Sequence, residues 1–423
     1  MDKLIINGPA TLEGEIRISR AKNAFLPILS ASILSDEKLT LNEVPNLRDI
    51  NTMKRLLSNM GATLSEVEQS DVDKDNGIEI DPTTINNFEA PYELVKTMRA
   101  SIGVLGPLLS KYKRAKVSLP GGCAIGARPV NFHLEAMKKL GANVEVEGGN
   151  IVAETSGLIG NKVTLPFPSV GATQNVLMAA SLAKGETLIT NAAKEPEVTD
   201  LVDYLIQSGV PIEGRETAEL KIQGVERLKG ISYAPIGDRI EAGTYLCLAL
   251  MAKAKLKITG FNPKHIDFAI DMLKDVGANF EVGEDFVTVF PSELRGFSLT
   301  TAPYPGFPTD LQAQFMSLAL TIDDVSTIRE NIFENRFMHV PELKRFGAEI
   351  DLKENVAIIR GGRKLTGAPV MCTDLRASAA LILTSLIAQG ESEVRRVYHL
   401  DRGYDRIDQK ISKCGGKVER VNE

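Results

Sequence analysis

Leu57-Ser58-Asn59-Met60-Gly61-Ala62 reads as the end of an amphipathic helix, closed by glycine and a small residue before a β-type run. The same ending recurs at Met137-Lys138-Lys139-Leu140-Gly141-Ala142, Leu205-Ile206-Gln207-Ser208-Gly209-Val210 and Leu273-Lys274-Asp275-Val276-Gly277-Ala278. It returns at Leu343-Lys344-Arg345-Phe346-Gly347-Ala348 and at Ile411-Ser412-Lys413-Cys414-Gly415-Gly416. The six glycines stand 80, 68, 68, 70 and 68 residues apart. Glycine after a helix is the expected left-handed stop. Coincidental helix ends would be spaced irregularly. The period is too long for a solenoid repeat and suits a small subdomain.

A second pattern keeps step with the first. Asn175 to Ala183 precedes the strand-like Glu186 to Thr190, Tyr245 to Leu250 precedes Leu256 to Thr259, and Ala379 to Leu383 precedes Ser392 to Val397. Each apolar run is small-sided all round, which demands burial on every side. Each unit thus reads helix, strand, loop, helix, glycine, strand, strand. This is an α/β chain of six such units, with alanine-rich helices inside and sheets outside. Ile18 to Asn23 and Lys229 to Gly237 are loop-like and read as crossings between two halves, predicting domains 22–236 and 1–21 with 237–423. The cleft between halves is then the default ligand site.

The totals narrow the class. The 423 residues suit two or more domains. Net charge is −6, giving no basic footprint for nucleic acid. The four cysteines (123, 247, 372 and 414) form no CxxC pair, and the four histidines form no metal-binding pattern. No metal centre is expected from these spacings. The start, Met1 to Pro9, has no signal-peptide core, and the apolar run 377–388 is too short to span a bilayer, so a cytoplasmic location is expected.

Pro120-Gly121-Gly122-Cys123-Ala124-Ile125-Gly126-Ala127-Arg128-Pro129 cannot be a helix interior or a paired strand. It joins a strand near Lys116 to Leu119 to a helix near Phe132 to Leu140. It is a strand-to-helix loop carrying a thiol and a guanidinium, with the glycine content of a lid. Charged residues recur at other loop-to-helix junctions: Lys22-Asn23, Arg99, Asp310, Arg336, Asp374, Arg376 and Arg402. Each has an ordinary reading. Asp310 and Asp374 suit helix N-termini, Asn23 suits a cap, and Arg402 beside Asp401 or Arg376 beside Asp374 suits a weak surface pair. Their recurrence in successive units favours convergence on an anionic substrate. Arginine suits phosphate or carboxylate, an Asp can serve as base, and a thiol, mostly protonated at neutral pH, can serve as acid. No Walker or GxGxxG pattern occurs, so any phosphate is held by side chains.

Along its whole length the chain resembles the UDP-N-acetylglucosamine enolpyruvyl transferases, the 1-carboxyvinyltransferases of the EPSP synthase superfamily. The most specific stretches are Leu119 to Pro129, Phe307 to Gln314, Phe333 to His339, Asp374 to Ser378 and Tyr398 to Tyr404. The resemblance implies two inside-out α/β barrels, each of three βαβαββ-type subdomains, joined by two crossings. It implies phosphoenolpyruvate held by Lys22, Arg128 and Arg402. It implies a nucleotide-sugar site drawn from Asn23, Arg99, Arg128, Pro129, Val130, Asn131, Phe132, Ser169, Val170, Gly171, Asp310, Ile332, Phe333, Arg336 and Arg376. Cys123 would be the general acid and Asp310 the base, with Asp374 and Arg376 supporting the reacting centre. The implied reaction is addition then elimination at the first committed step of bacterial peptidoglycan synthesis, with fosfomycin alkylating Cys123. Neither a metal or organic cofactor nor a nucleic acid or membrane partner is implied.

Four positions depart from the family pattern: Arg20, Gly103, Asn131 and Phe167. They bear on nucleotide affinity rather than on the chemistry. Two rival readings are a shikimate-pathway enolpyruvyl transferase and a nucleotide-sugar-binding paralogue without catalysis. The Pro-Gly-Gly-Cys loop argues against the first, and intact Cys123 and Asp310 argue against the second.

Overall fold

The structure is a computed structural model describing residues 2–68, 76–96, 98–119 and 130–422. The loop expected at 120–129, with Cys123, Arg128 and Pro129, lies outside the described residues. Its flanks are the strand Arg114–Ser118 and the helix Asn131–Lys139.

Six four-stranded sheets share one pairing scheme. In each, a first strand runs parallel to a second, the second pairs antiparallel with a fourth, and the fourth pairs antiparallel with a third. The strands Glu89–Ala90, Arg114–Ser118, Asn143–Glu147 and Asn150–Glu154 supply one such set in chain order. Three sheets borrow a strand from far away in sequence. Ser232–Tyr233 pairs with Leu39–Leu41, Glu13–Arg17 with Lys255–Thr259, and Asp2–Gly8 lies between Gly390–Arg395 and Lys417–Asn422.

The chain divides into two compact units, residues 2–19 with 237–422 and residues 20–119 with 130–236. Each has its own core. In the first, helices Arg239–Met251, Gln312–Leu320 and Leu375–Ile387 pack on one another. Every residue of the first two is buried, the polar Glu241 and Gln314 included, and apolar or small residues make up most of both. In the second unit, Lys22–Ala31, Leu105–Tyr112 and Val170–Ala180 are the corresponding apolar helices. Strands such as Glu219–Gln223 bury alternate residues, the period of two that places one face against helices.

The six glycines of the sequence repeat all have positive φ, between 92° and 115°. At five of the ends the following amide reaches back five residues to the helix. Ala62, Ala142, Val210, Ala278 and Gly416 donate to the carbonyls of Leu57, Met137, Leu205, Leu273 and Ile411 at 2.9–3.1 Å. This is the bond of a Schellman stop. No helix of the described residues is long and apolar enough to cross a membrane.

Candidate active site

In the unit of residues 2–19 and 237–422, Asp310 lies in the short 3-10 turn Thr309–Leu311 that leads into the helix Gln312–Leu320. It caps neither element. Its carboxylate is instead gripped by two guanidiniums. Arg336 Nη2 donates to Oδ1 at 2.9 Å, while Arg376 Nε and Nη2 lie 3.2 and 3.1 Å from Oδ2. The arginine side chains are 5% and 3% exposed, against 30% for Asp310. The arginines therefore form the floor and the carboxylate the accessible face. Burial opposes the charge on Arg376, but the Asp310 carboxylate holds its pKa above the ordinary guanidinium value. One nitrogen of each arginine, Nη1, is buried without a hydrogen-bond partner among the described residues. Buried unsatisfied donors of this kind are costly and favour an incoming anion or carbonyl.

The neighbours fix this cluster. Gln314 Nε2 donates to the Asp310 carbonyl at 3.0 Å and lies 3.1 Å from both Thr244 Oγ1 and Tyr404 Oη. The Arg376 guanidinium stands 5.5 Å from the Tyr404 ring centre, a cation–π distance. His339 is buried next to Arg336. Burial first, then the Arg336 charge, lowers its pKa to about 4, so it is neutral at physiological pH.

Asp374 has the role of a helix cap. Its Oδ1 accepts from the amides of Arg376 at 2.9 Å and Ala377 at 3.1 Å at the start of Leu375–Ile387. Arg376 turns away from its neighbour to Asp310. Arg402 ends the 3-10 segment Val397–Arg402, and the adjacent Asp401 pairs with Arg420 at 2.7 Å. Ile332 and Phe333 precede Arg336 in the loop after the strand Val325–Arg329. Their amides donate to one carboxylate oxygen of Glu330 at 2.8 and 3.2 Å. The sequence reading did not single out Glu330.

The other unit holds the remaining candidates. Lys22 opens the helix Lys22–Ala31, and its ammonium lies 3.3 Å from Asp49 Oδ2, both groups buried. Ala21 occupies the N-cap, so Asn23 does not cap this helix. Arg99 begins the 3-10 segment Arg99–Val104 and faces His133 electrostatically. Burial and then Arg99 lower the His133 pKa to about 4. Asn175 Nδ2 sits 2.9 Å from Nδ1 of that ring, while its Oδ1 accepts from the Gly106 amide at 2.7 Å. Val130 is the N-cap of Asn131–Lys139, with Asn131 exposed and Phe132 half-buried. Ser169 caps Val170–Ala180 through the Ala172 amide at 3.4 Å. Gly171 stands against His133, because an added Cβ would meet the imidazole at 3.4 Å. Among the departing positions, Arg20 pairs with Glu43 and Phe167 is exposed.

This frame can be set beside known proteins. The EPSP synthase (3-phosphoshikimate 1-carboxyvinyltransferase) family model matches residues 6–411. Proteins named UDP-N-acetylglucosamine 1-carboxyvinyltransferase from Shewanella pealeana and Thermodesulfovibrio yellowstonii are 51% and 49% identical, with all of this chain and all of each relative covered. The chain belongs to the EPSP synthase family, in its UDP-N-acetylglucosamine 1-carboxyvinyltransferase branch. Solved structures agree on the fold of this family. The enolpyruvyl transferase NikO from Streptomyces tendae superposes with a TM-score of 0.88 at 23% identity, over 100% of this chain and 99% of its own. EPSP synthase from Acinetobacter baumannii gives 0.76 at 15% over the whole of both chains.

Proposed function

We infer that this chain transfers the enolpyruvyl group of phosphoenolpyruvate to the 3'-hydroxyl of UDP-N-acetylglucosamine, releasing phosphate, as the step that opens peptidoglycan synthesis in the bacterial cytoplasm. The observation that carries the reading is identity of 48–51% along the full length to relatives bearing that enzyme's name. The Asp310, Arg336 and Arg376 cluster supports it chemically. We also read each unit as an inside-out barrel of three repeats, supported by the shared pairing scheme and the fully buried helices.

In this proposal Lys22, Arg128 and Arg402 hold the phosphate and carboxylate of phosphoenolpyruvate. Asn23, Arg99, residues 128–132, Ser169, Val170 and Gly171 hold the nucleotide sugar. Ile332, Phe333 and Arg336 do so as well. Asp310 takes the proton of the sugar hydroxyl as its oxygen bonds to C2, and Cys123 gives a proton to C3. Phosphate then leaves C2 as C3 loses a proton, restoring the double bond. The arginines flanking Asp310 orient its carboxylate, and Asp374 aims Arg376 by fixing the helix start that carries it.

The test is release of inorganic phosphate on mixing the protein with UDP-N-acetylglucosamine and phosphoenolpyruvate. Turnover with that pair and none with shikimate 3-phosphate is expected. Turnover with shikimate 3-phosphate alone would assign the rival enzyme. Tight binding of the UDP-sugar without phosphate release would assign a binding paralogue.

A further inference from the structure

Glu330 follows the strand Val325–Arg329 and its side chain is almost wholly buried, at 3% exposure. No cation pairs with it among the described residues. Four neutral donors hold it instead. Thr301 Oγ1 donates to Oε1 at 2.8 Å, and the Ile332 and Phe333 amides share that oxygen at 2.8 and 3.2 Å. Thr309 Oγ1 donates to Oε2 at 2.8 Å. Burying a carboxylate without a counter-ion is expensive unless hydrogen bonds replace its hydration.

The other sheets manage the same place in the fold without this arrangement. The residue after the second strand is Asn42, Leu119, Asn191, Gly260 or Arg396 in those sheets. Asn191 ties two strand ends with one neutral bond, from Nδ2 to the Leu165 carbonyl at 2.8 Å. Closing a sheet end therefore does not require a buried charge. What distinguishes the sheet of Glu330 is the residues that its partners flank. Thr309 immediately precedes Asp310, and the turn at Ile332 and Phe333 leads into Arg336.

We propose that Glu330 is a positioning residue, clamping the Thr309 segment to the turn before Arg336 and so fixing the Asp310 carboxylate against its arginines. The proposal rests on Asp310 being the base, as proposed above. Glu330 touches no reacting atom in this scheme. It sets the angle and reach of the group that does, and displacement of a reacting group by an ångström can cost about a hundredfold in rate.

Thr309→Val removes the single bond toward Asp310 and leaves the carboxylate and its other donors in place. Its kcat is expected to fall at least about tenfold, with both KM values within about threefold, because positioning is lost and ground-state binding is not. Glu330→Gln is expected to fall further. The double variant is expected to be no worse than Glu330→Gln, since both break one clamp. A second measurement needs no substrate: amide exchange at Ile332 and Phe333 is expected to accelerate about tenfold or more in Glu330→Ala, as their acceptor is gone. Wild-type phosphate release run alongside tests the enzyme assignment, while the ratio of variant to wild type tests Glu330. Wild-type kcat in a folded Thr309→Val protein, a change confined to KM, additive losses in the double variant, or unchanged exchange at both amides would each overturn the proposal.

Discussion

Arg376 places both Nε and Nη2 on Oδ2 of Asp310, at 3.2 and 3.1 Å. Both nitrogens converge on one oxygen while Arg336 takes the other, which orients the carboxylate as well as neutralising it. An amide at this position would turn an NH2 group toward a guanidinium, donor against donor. Asp310→Asn is therefore expected to do more than remove a proton acceptor. Turnover should fall on the order of a hundredfold to ten-thousandfold, the usual worth of a general base. Thermal stability should fall too, because buried cations lose their counter-ion. Phosphate release and the melting temperature measured on one preparation check both. Near-normal turnover would remove Asp310 from the role.

The repeat was legible because its mark is a local rule. A left-handed stop needs glycine wherever the helix ends, and the period survives without any knowledge of packing. The candidate cluster is legible only in part, since the junctions single out Asp310, Arg336 and Arg376 but not their pairing. Asp310, Arg336 and Arg376 are 26 and 66 residues apart as bonded pairs, and only the shared core of one unit brings them together. Asp374 shows the limit of residue type as a signal. A carboxylate before an apolar helix reads equally as cap or catalyst, and here its Oδ1 is spent on two helix amides. Glu330 escaped notice because a buried acid served by hydroxyls and backbone amides leaves no charge pattern in the sequence.

Gly209 tests the repeat energetically. Its φ is +103°, and a Cβ added there would meet nothing within 4 Å. Gly209→Ala thus isolates backbone strain from crowding. A loss of about 1 kcal/mol is expected, the cost of placing an L-residue in the left-handed region. Denaturant unfolding monitored by circular dichroism measures it. An unchanged midpoint would mean that the helix end relaxes at no cost.

Asp200 predicts a pH dependence. It is buried in the helix Pro196–Gln207, where Tyr233 Oη donates to it at 2.7 Å and the Ile236 amide at 3.3 Å. Burial raises its pKa to about 7, despite these donors and with help from Asp203 and Glu197. A carboxyl with a raised folded pKa stabilises fully below the unfolded value near 4, and that stability is lost as pH rises through about 7. With each pKa unit worth about 1.4 kcal/mol, the loss is on the order of a few kcal/mol. His133 and His339, both held near pKa 4, act in the opposite sense, losing stability as pH falls below their unfolded value. Comparison with Asp200→Asn cancels the histidines. The variant's melting temperature minus that of wild type is expected to rise between pH 5 and pH 8. A flat difference would show that Asp200 ionises normally in the fold.

The thiols divide sharply by environment. Cys247 is enclosed in the helix Arg239–Met251, and burial pushes its pKa far above the ordinary thiol range. Burial pushes Cys372 up to about 12 and raises Cys414 as well. The thiolate is the nucleophile, so all three should be inert at neutral pH. Cys123 lies outside the described residues, but it shares a glycine-rich stretch of sequence with Arg128, whose charge would favour thiolate. Fosfomycin in the presence of UDP-N-acetylglucosamine is therefore expected to add once, on the peptide containing Cys123. Its phosphonate would take the phosphate position proposed for Lys22, Arg128 and Arg402. Intact mass and peptide mapping read the adduct, and Cys123→Asp should abolish it. An adduct on Cys247, Cys372 or Cys414 would contradict their buried placement. Continued inhibition of the Cys123→Asp protein would separate the drug's action from the thiol proposed as the general acid.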